Sequence, residues 1–166
     1  MTVTAIDNAG NTRTLTSTYT VLAATSTEGG VSGSVPATLS LTLGGPATFG
    51  AFTPGVARDY TASTTANVIS TAGDAALSVA DPSANATGRL VNGAFALPQA
   101  LQANANGGAY APVGGSASPT ALLSYDAPVS NSAVTIGFKQ AIGANDALRT
   151  GAYSKTLTFT LSTTTP

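Results

Sequence analysis

YSKTLTFTLS, residues 153–162, alternates apolar and hydroxyl-bearing side chains along its second half. A period of two residues is typical of a β-strand that buries one face and exposes the other. Residues 37–43 have the same period, with Leu39, Leu41 and Leu43 separated by serine and threonine. Both stretches therefore predict half-buried strands, and they indicate a fold made of sheets that are covered on one side.

Further strand patterns lie between these two stretches, separated by turn residues about every 8–12 positions. No window of about 11 residues or more has the sustained period of an amphipathic helix. The patterns predict strands at residues 47–52, 58–70, 76–80, 88–91, 95–97, 121–125 and 133–138. About eight or nine short strands without helical crossovers predict an all-β fold, an antiparallel β-sandwich of jelly-roll or Ig-like type with no substantial helix. A closed barrel is the structural alternative.

Two connections have a distinct composition. Asn92-Gly93 is the strongest hairpin signal in the chain and predicts a tight turn between residues 88–91 and 95–97. Residues 104–119 are rich in Gly, Asn, Ser and Pro and predict a loop of about 16 residues, a length that is usually functional or mobile in a compact domain. Tyr110 is the aromatic residue of this loop, and it is a candidate ligand contact.

Charged residues are few, at 8% of the chain against about 25% in typical soluble domains. The six Lys and Arg residues are scattered, so the sequence predicts no basic patch for nucleic acid. No apolar run approaches the ~18 residues that span a bilayer, so we expect no membrane insertion. Abundant Thr, Ser, Gly and Ala with few Lys and Glu favour an extracellular bacterial protein, at the cell surface or secreted.

The chain offers little for catalysis. Without His or Cys it cannot form a Ser-His-Asp or Cys-His site or a zinc site of the usual ligands. Most of its seven acidic residues stand at strand ends beside Gly, Pro or Asn, where they cap turns. We therefore expect a protein that is not an enzyme, with no catalytic, cofactor-binding or metal-binding residue. A lesser alternative is a calcium site formed by Asp7, Asn8 and Asn11, or by Asp74 and Asp81.

The first residues predict a β-hairpin with no sheet around it. Residues 2–6 and 12–21 alternate around the turn formed by residues 7–11, and a stretch rich in Ala, Thr, Ser and Gly follows. A two-stranded hairpin alone is marginally stable in water, so its strands need further partners. Either preceding sequence supplies them, or the segment pairs with another molecule. Its candidate subunit contacts are the apolar residues Val3, Ile6, Leu15, Tyr19 and Val21.

These patterns divide the chain into three parts. Residues 1–21 are a β-hairpin segment, either the remnant of an Ig-like repeat or a pair of donated strands. Residues 22–36 are predicted to be a flexible linker, and residues 37–166 a β-sandwich domain.

Residues 3–11, VTAIDNAGN, followed by YTV at residues 19–21, resemble the closing hairpin of bacterial Ig-like repeats of the HYR and Big type. The resemblance implies that residues 1–21 are the last part of such a repeat, without the strands that come before it.

Residues 151–162, with Pro166, are similar to the terminal strand of WxL-type cell-wall-binding domains and of surface-fibre subunits. Residues 49–60 resemble part of the sandwich subunits of bacterial matrix fibres. The chain has no Trp, so the motifs that define the WxL family are absent. The resemblance implies a secreted sandwich rather than wall binding.

Together these features predict a structural extracellular module of a bacterial surface protein or fibre. We expect it to assemble by β-strand addition with other copies of itself or with neighbouring surface-protein domains. The alternative is an adhesin or carbohydrate-binding module that contacts a glycan through the 104–119 loop and Tyr110.

Overall fold

The computed structural model describes residues 1–164, and the chain forms two compact units that meet in sequence between Ser34 and Val35. All regular structure in the described residues is β-strand, so the all-β class is confirmed. None of these residues belongs to a helix long and apolar enough to cross a membrane.

The first unit is a hairpin of strands β1 (Thr2–Ile6) and β2 (Thr12–Thr16), which pair antiparallel. The carboxylate of Asp7 accepts hydrogen bonds from the backbone N–H groups of Ala9 and Asn11, both at 2.9 Å, and so forms the turn. The second strand ends at Thr16, and the predicted continuation to residue 21 is wrong: residues 17–34 contain no strand, and their side chains are exposed.

The second unit contains ten strands in its described part. They are β3 (Leu39–Leu43), β4 (Arg58–Ser70), β5 (Ala75–Ala80), β6 (Val91–Asn92), β7 (Phe95–Ala96), β8 (Gln102–Ala105), β9 (Ala111–Pro112), β10 (Thr120–Tyr125), β11 (Val129–Ile142) and β12 (Thr158–Ser162). Five of them form a sheet in the order β3-β4-β11-β8-β9, and three form a second sheet in the order β10-β5-β12. Every pair within these sheets is antiparallel.

The two sheets share one hydrophobic core. Val68 and Ile136 of the large sheet and Leu77 and Val79 of the small sheet are all fully buried in the same cluster. Each such side chain contributes about 1.5–3 kcal/mol by leaving water. A slip of one residue would turn these side chains outward, so the core also fixes the register of the strands.

The two sides of the sandwich differ: a chain connection joins the sheets on one side, whereas on the other, here called the open side, β3 and β12 have Cα atoms within 8 Å of each other but do not pair. The connection between β9 and β10 is anchored by the carbonyl of Gly114, which accepts a hydrogen bond at 2.8 Å from the N–H of Asp81, the residue that follows β5. On the opposite side, β3 and β12 are the edge strands of their sheets. The antiparallel sandwich is therefore confirmed, and the closed alternative does not form.

Further sequence predictions of local structure are wrong. Residues 153–157 of the strand predicted over residues 153–162 form only an isolated bridge at Ser154, and β12 begins at Thr158. Residues 47–52 form no strand, because the preceding Gly44-Gly45-Pro46 ends pairing with β4. The loop predicted at residues 104–119 instead begins within β8 and contains β9, with Gln102 opposite Pro112. The hairpin turn lies at Gly93-Ala94, one residue later than predicted, because Gly93 adopts the positive φ of 62° that the first turn position requires.

Candidate functional site

A groove of about 630 Å³ enters the sandwich at its open side. One wall is the irregular segment of residues 44–52, which follows β3, and the other is formed by residues 153–157, which lead into β12. The buried side chains of Leu90, Leu101 and Phe138 line its depth. The groove therefore exposes part of the sandwich core at the edge where the sheets are not joined.

Aromatic side chains form much of the groove surface. Phe49 and Phe52 lie on one wall with ring centroids 5.9 Å apart, and Phe159 meets Phe138 edge-on at 6.4 Å. Phe49, Phe52 and Phe159 are only half-buried. Apolar clefts of about 300–1,000 Å³ are typical binding sites, so both the size and the lining suit an apolar partner.

An ion pair at the base of the second wall holds that wall in place. Nζ of Lys155 lies 3.0 Å from Oδ2 of Asp81, and the two side chains are 4% and 0% exposed. The same ammonium group donates to the carbonyl of Asn85 at 2.6 Å. Because a buried charge is costly without partners, this pair ties residues 153–157 to the small sheet.

The Asp81 carboxylate is fully occupied. Burial alone acts to raise the pKa of Asp81, but the backbone N–H groups of Ser83 and Gly88, at 2.9 and 2.7 Å, and the Lys155 ammonium lower it more. The net pKa is below the ordinary value, and the group remains ionised at neutral pH. Neither member of the pair is free to act as a general acid or base.

Lys155 is the charged residue in the groove lining, and its charge is neutralised by Asp81. The remaining lining in the described part of the chain is apolar, glycine or hydroxyl-bearing. Such a surface can hold apolar side chains and hydrogen-bond to a peptide backbone.

The two edge strands beside the groove lack the usual protection of exposed edges. Gly44 donates to the carbonyl of Thr65, so the even-numbered residues of β3 bond to β4. Successive residues direct their N–H and C=O groups to opposite sides, so those of Leu39, Leu41 and Leu43 face the open edge. Neither β3 (LSLTL) nor β12 (TFTLS) contains a charge or a proline, the residues that normally block pairing.

The five predicted contact residues of the first unit are all exposed, at 50% for Val3, 70% for Ile6, 69% for Leu15 and 76% for both Tyr19 and Val21. Val3 and Leu15 are directly opposite in the hairpin and share one face. Ile6 points to the other face, and Tyr19 and Val21 follow the end of β2. The structure thus brings two of the five together and leaves all five open to contact.

Tyr110 is half-buried on the outer face of the large sheet, not at the tip of an open loop. Nζ of Lys139 lies 5.1 Å from the centroid of its ring. A Cβ at Gly137 would stand 3.2 Å from the Tyr110 hydroxyl and 2.4 Å from Oδ1 of Asn104. Tyr110 and Asn104 therefore cover the gap that Gly137 leaves in the sheet, a packing role familiar for aromatic residues beside strand glycines.

The candidate calcium ligands serve as turn and strand contacts. The pKa of Asp7 is lowered, chiefly by its hydrogen bond from the Asn11 side chain and then by backbone N–H groups. Asp74 accepts from the Thr163 hydroxyl at 2.7 Å. Within residues 1–164, no three acidic side chains converge in a way that could hold a metal ion.

Sequence reasoning missed the groove and the ion pair. Lys155 is in phase with Tyr153, Leu157 and Phe159, which pack against the core. A lysine at an inward position is itself a signal of a buried acidic partner. No family model matches this chain, and no curated protein or solved structure is significantly similar to it.

Proposed function

We propose that this protein is a structural extracellular module of a bacterial surface protein or fibre, and that its copies assemble by β-strand addition. The observation that carries the proposal is the exposed apolar row of residues 15–21. Leu15, Tyr19 and Val21 stand at alternating positions among threonines and serine, and each is at least two-thirds exposed. A segment that alternates like a strand but keeps its apolar side chains in water is typical of a chain stretch that has no sheet to pack against.

The open side of the sandwich supports the same proposal. Its edge strands β3 and β12 have free backbone groups and no blocking charge or proline. In strand addition, main-chain hydrogen bonds supply affinity and alternate side chains enter pockets in the acceptor. The low charge and hydroxyl-rich composition support an extracellular location.

Deletion of residues 1–21 tests this function. The full chain is expected to form oligomers or fibres that grow with concentration in light scattering and are visible by electron microscopy, and the deleted chain is expected to remain monomeric. The matched control replaces the threonines at positions 16, 18 and 20 with serine, which leaves the apolar row intact and should leave assembly unchanged. Oligomers that persist after the deletion would overturn the proposal.

A glycan-binding module at Tyr110 has less support, because the ring of Tyr110 already covers Gly137 and lies beside Lys139. No specific feature of the outer sheet face adds to it.

A further inference from the structure

We infer that the groove between residues 44–52 and 153–157 is the acceptor site for residues 14–21 of a second copy of this chain. The inference rests on the proposed strand addition and assigns the place where the added strand binds. Three features of the described residues carry it: the surface of the groove, its charge and its position.

The surface of the groove matches the pattern of the donor. Residues 14–21, TLTSTYTV, place Leu15, Ser17, Tyr19 and Val21 on one side and four threonines on the other. The side with the three apolar residues would meet the half-buried rings of Phe49 and Phe159 and the deeper core side chains, and the threonine side would remain in water.

The charges of the two surfaces are compatible. Residues 14–21 contain no side chain that is charged at neutral pH, and the ammonium group of Lys155 in the groove is already held by Asp81. No unpaired charge is therefore buried when the segment enters, and the desolvation penalty that opposes many interfaces is absent. A basic or acidic peptide would gain nothing from this groove.

The position of the groove provides backbone partners. It lies where β3 ends and β12 begins, and Leu43 and Phe159 of these edge strands line it. The N–H and C=O groups of Leu43 face away from β4, so an entering segment lies beside them. The donor and the acceptor are different surfaces of one chain. Contacts of this head-to-tail type do not close by two-fold symmetry, and they extend into filaments when the rotation between copies does not close into a ring.

Cysteine cross-linking in the full chain tests the inference. Because the chain has no native cysteine, only the introduced cysteines can form disulfides. One tagged copy carries Tyr19→Cys, and a second copy with a different tag carries Thr48→Cys or Thr156→Cys on the two walls of the groove. The matched control carries Thr135→Cys, an exposed threonine on the outer face of the large sheet. Under mild oxidation we expect mixed dimers at one or both groove positions at least ten times faster than at the control.

The outcomes separate this inference from the proposed function. One outcome is that cross-linking is equally fast at the groove and control positions, while deletion of residues 1–21 still abolishes the oligomers. This outcome would rule out the groove as the acceptor site but would remain consistent with strand addition. A chain that is monomeric at all concentrations would overturn both. If a Tyr19→Cys/Thr48→Cys variant links within one chain at high dilution while mixed dimers do not form, the segment fills its own groove and the second copy is ruled out.

Discussion

The hairpin of the first unit and the strands of the sandwich have the same two-residue alternation of apolar and polar side chains. Their apolar faces nevertheless differ, because those of the hairpin are exposed and those of the sandwich are buried. In the sandwich, the apolar positions of β11 lie in a dry core, and Ile136 is fully buried. In the hairpin, Ile6 is 70% exposed. The pattern fixes which side chains share a face, but only the presence of a second sheet determines whether that face is covered. The difference between the two units is a difference in partners, not in local sequence.

The largest effect should come from removing the acidic half of the buried ion pair. Asp81→Ala leaves the Lys155 ammonium buried without its counter-charge, and we expect a loss of about 3–5 kcal/mol in the free energy of unfolding of the sandwich. Denaturant unfolding measures it. The matched control is Asp59→Ala, because the Asp59 side chain is 57% exposed, its partner Lys139 is 3.8 Å away, and such a pair contributes only about 0–1 kcal/mol. Equal losses in the two variants would contradict a structural role for the buried pair.

A pair of identical substitutions tests the contrast between the units directly. Ile136→Ala should destabilise the sandwich by about 2–5 kcal/mol, because it creates a cavity in the core. Ile6→Ala should change the unfolding of the monomer by no more than about 0.5 kcal/mol, because its side chain is already in water. Urea titration of both variants at a concentration too low for assembly makes the comparison. A large loss for Ile6→Ala would show that the hairpin is covered within its own chain.

Acid should weaken the sandwich through Asp81. The pKa of this carboxyl is lowered in the folded state, so its contribution to stability is present above the unfolded-state pKa of about 3.9 and is lost as the pH falls through the lower folded-state value. We expect the free energy of unfolding to decline with a smaller slope below about pH 4 in the Asp81→Asn/Lys155→Met variant than in the unmodified chain. Thermal unfolding between pH 2 and pH 6 measures both slopes, and identical slopes would exclude Asp81 as the source.

Two tyrosine substitutions give the smallest effects and the clearest division of roles. Tyr110→Ala uncovers Gly137 and should cost about 1 kcal/mol of stability without changing assembly. Tyr19→Ala should leave monomer stability unchanged and reduce oligomer formation, because Tyr19 is 76% exposed in the single chain and is proposed to contact a second copy. Denaturant unfolding measures the stability of both variants, and light scattering measures their assembly. Glycan binding by the unmodified chain that disappears in Tyr110→Ala would favour the adhesin alternative instead.

Strands whose pattern is strictly alternating could be predicted from the sequence. Of the strands predicted over residues 37–43 and 153–162, residues 39–43 and 158–162 form strands as the period of two predicts. The segment of residues 47–52 has a similar pattern but forms no strand, because sequence alone does not show whether an edge is available for pairing. Asn104 was assigned to a loop for its composition, yet it is buried beside Gly137, since its side chain finds a backbone carbonyl at Gly108.

The groove could not be predicted from the sequence, because it forms between two irregular segments that adjoin the edge strands of different sheets. Phe49 and Phe159 are distant in sequence, and each alone reads as an ordinary core residue. Half of the ion pair could be predicted, because Lys155 has the same alternation as the inward-facing residues that precede β12. Its partner Asp81 follows β5, and nothing in the sequence around Asp81 indicates that it is buried.

The open side of the sandwich also has a mechanical meaning. β3 and β12 are each held by a single neighbouring strand of five paired residues, whereas β4, β5 and β11 are held on both sides. A pull transmitted through the chain that flanks the sandwich would load β3 and β12 first, so the molecule should yield from this side while the rest of the sheets stays intact. A strand added against either edge would give it a second row of hydrogen bonds and raise the force at which it tears.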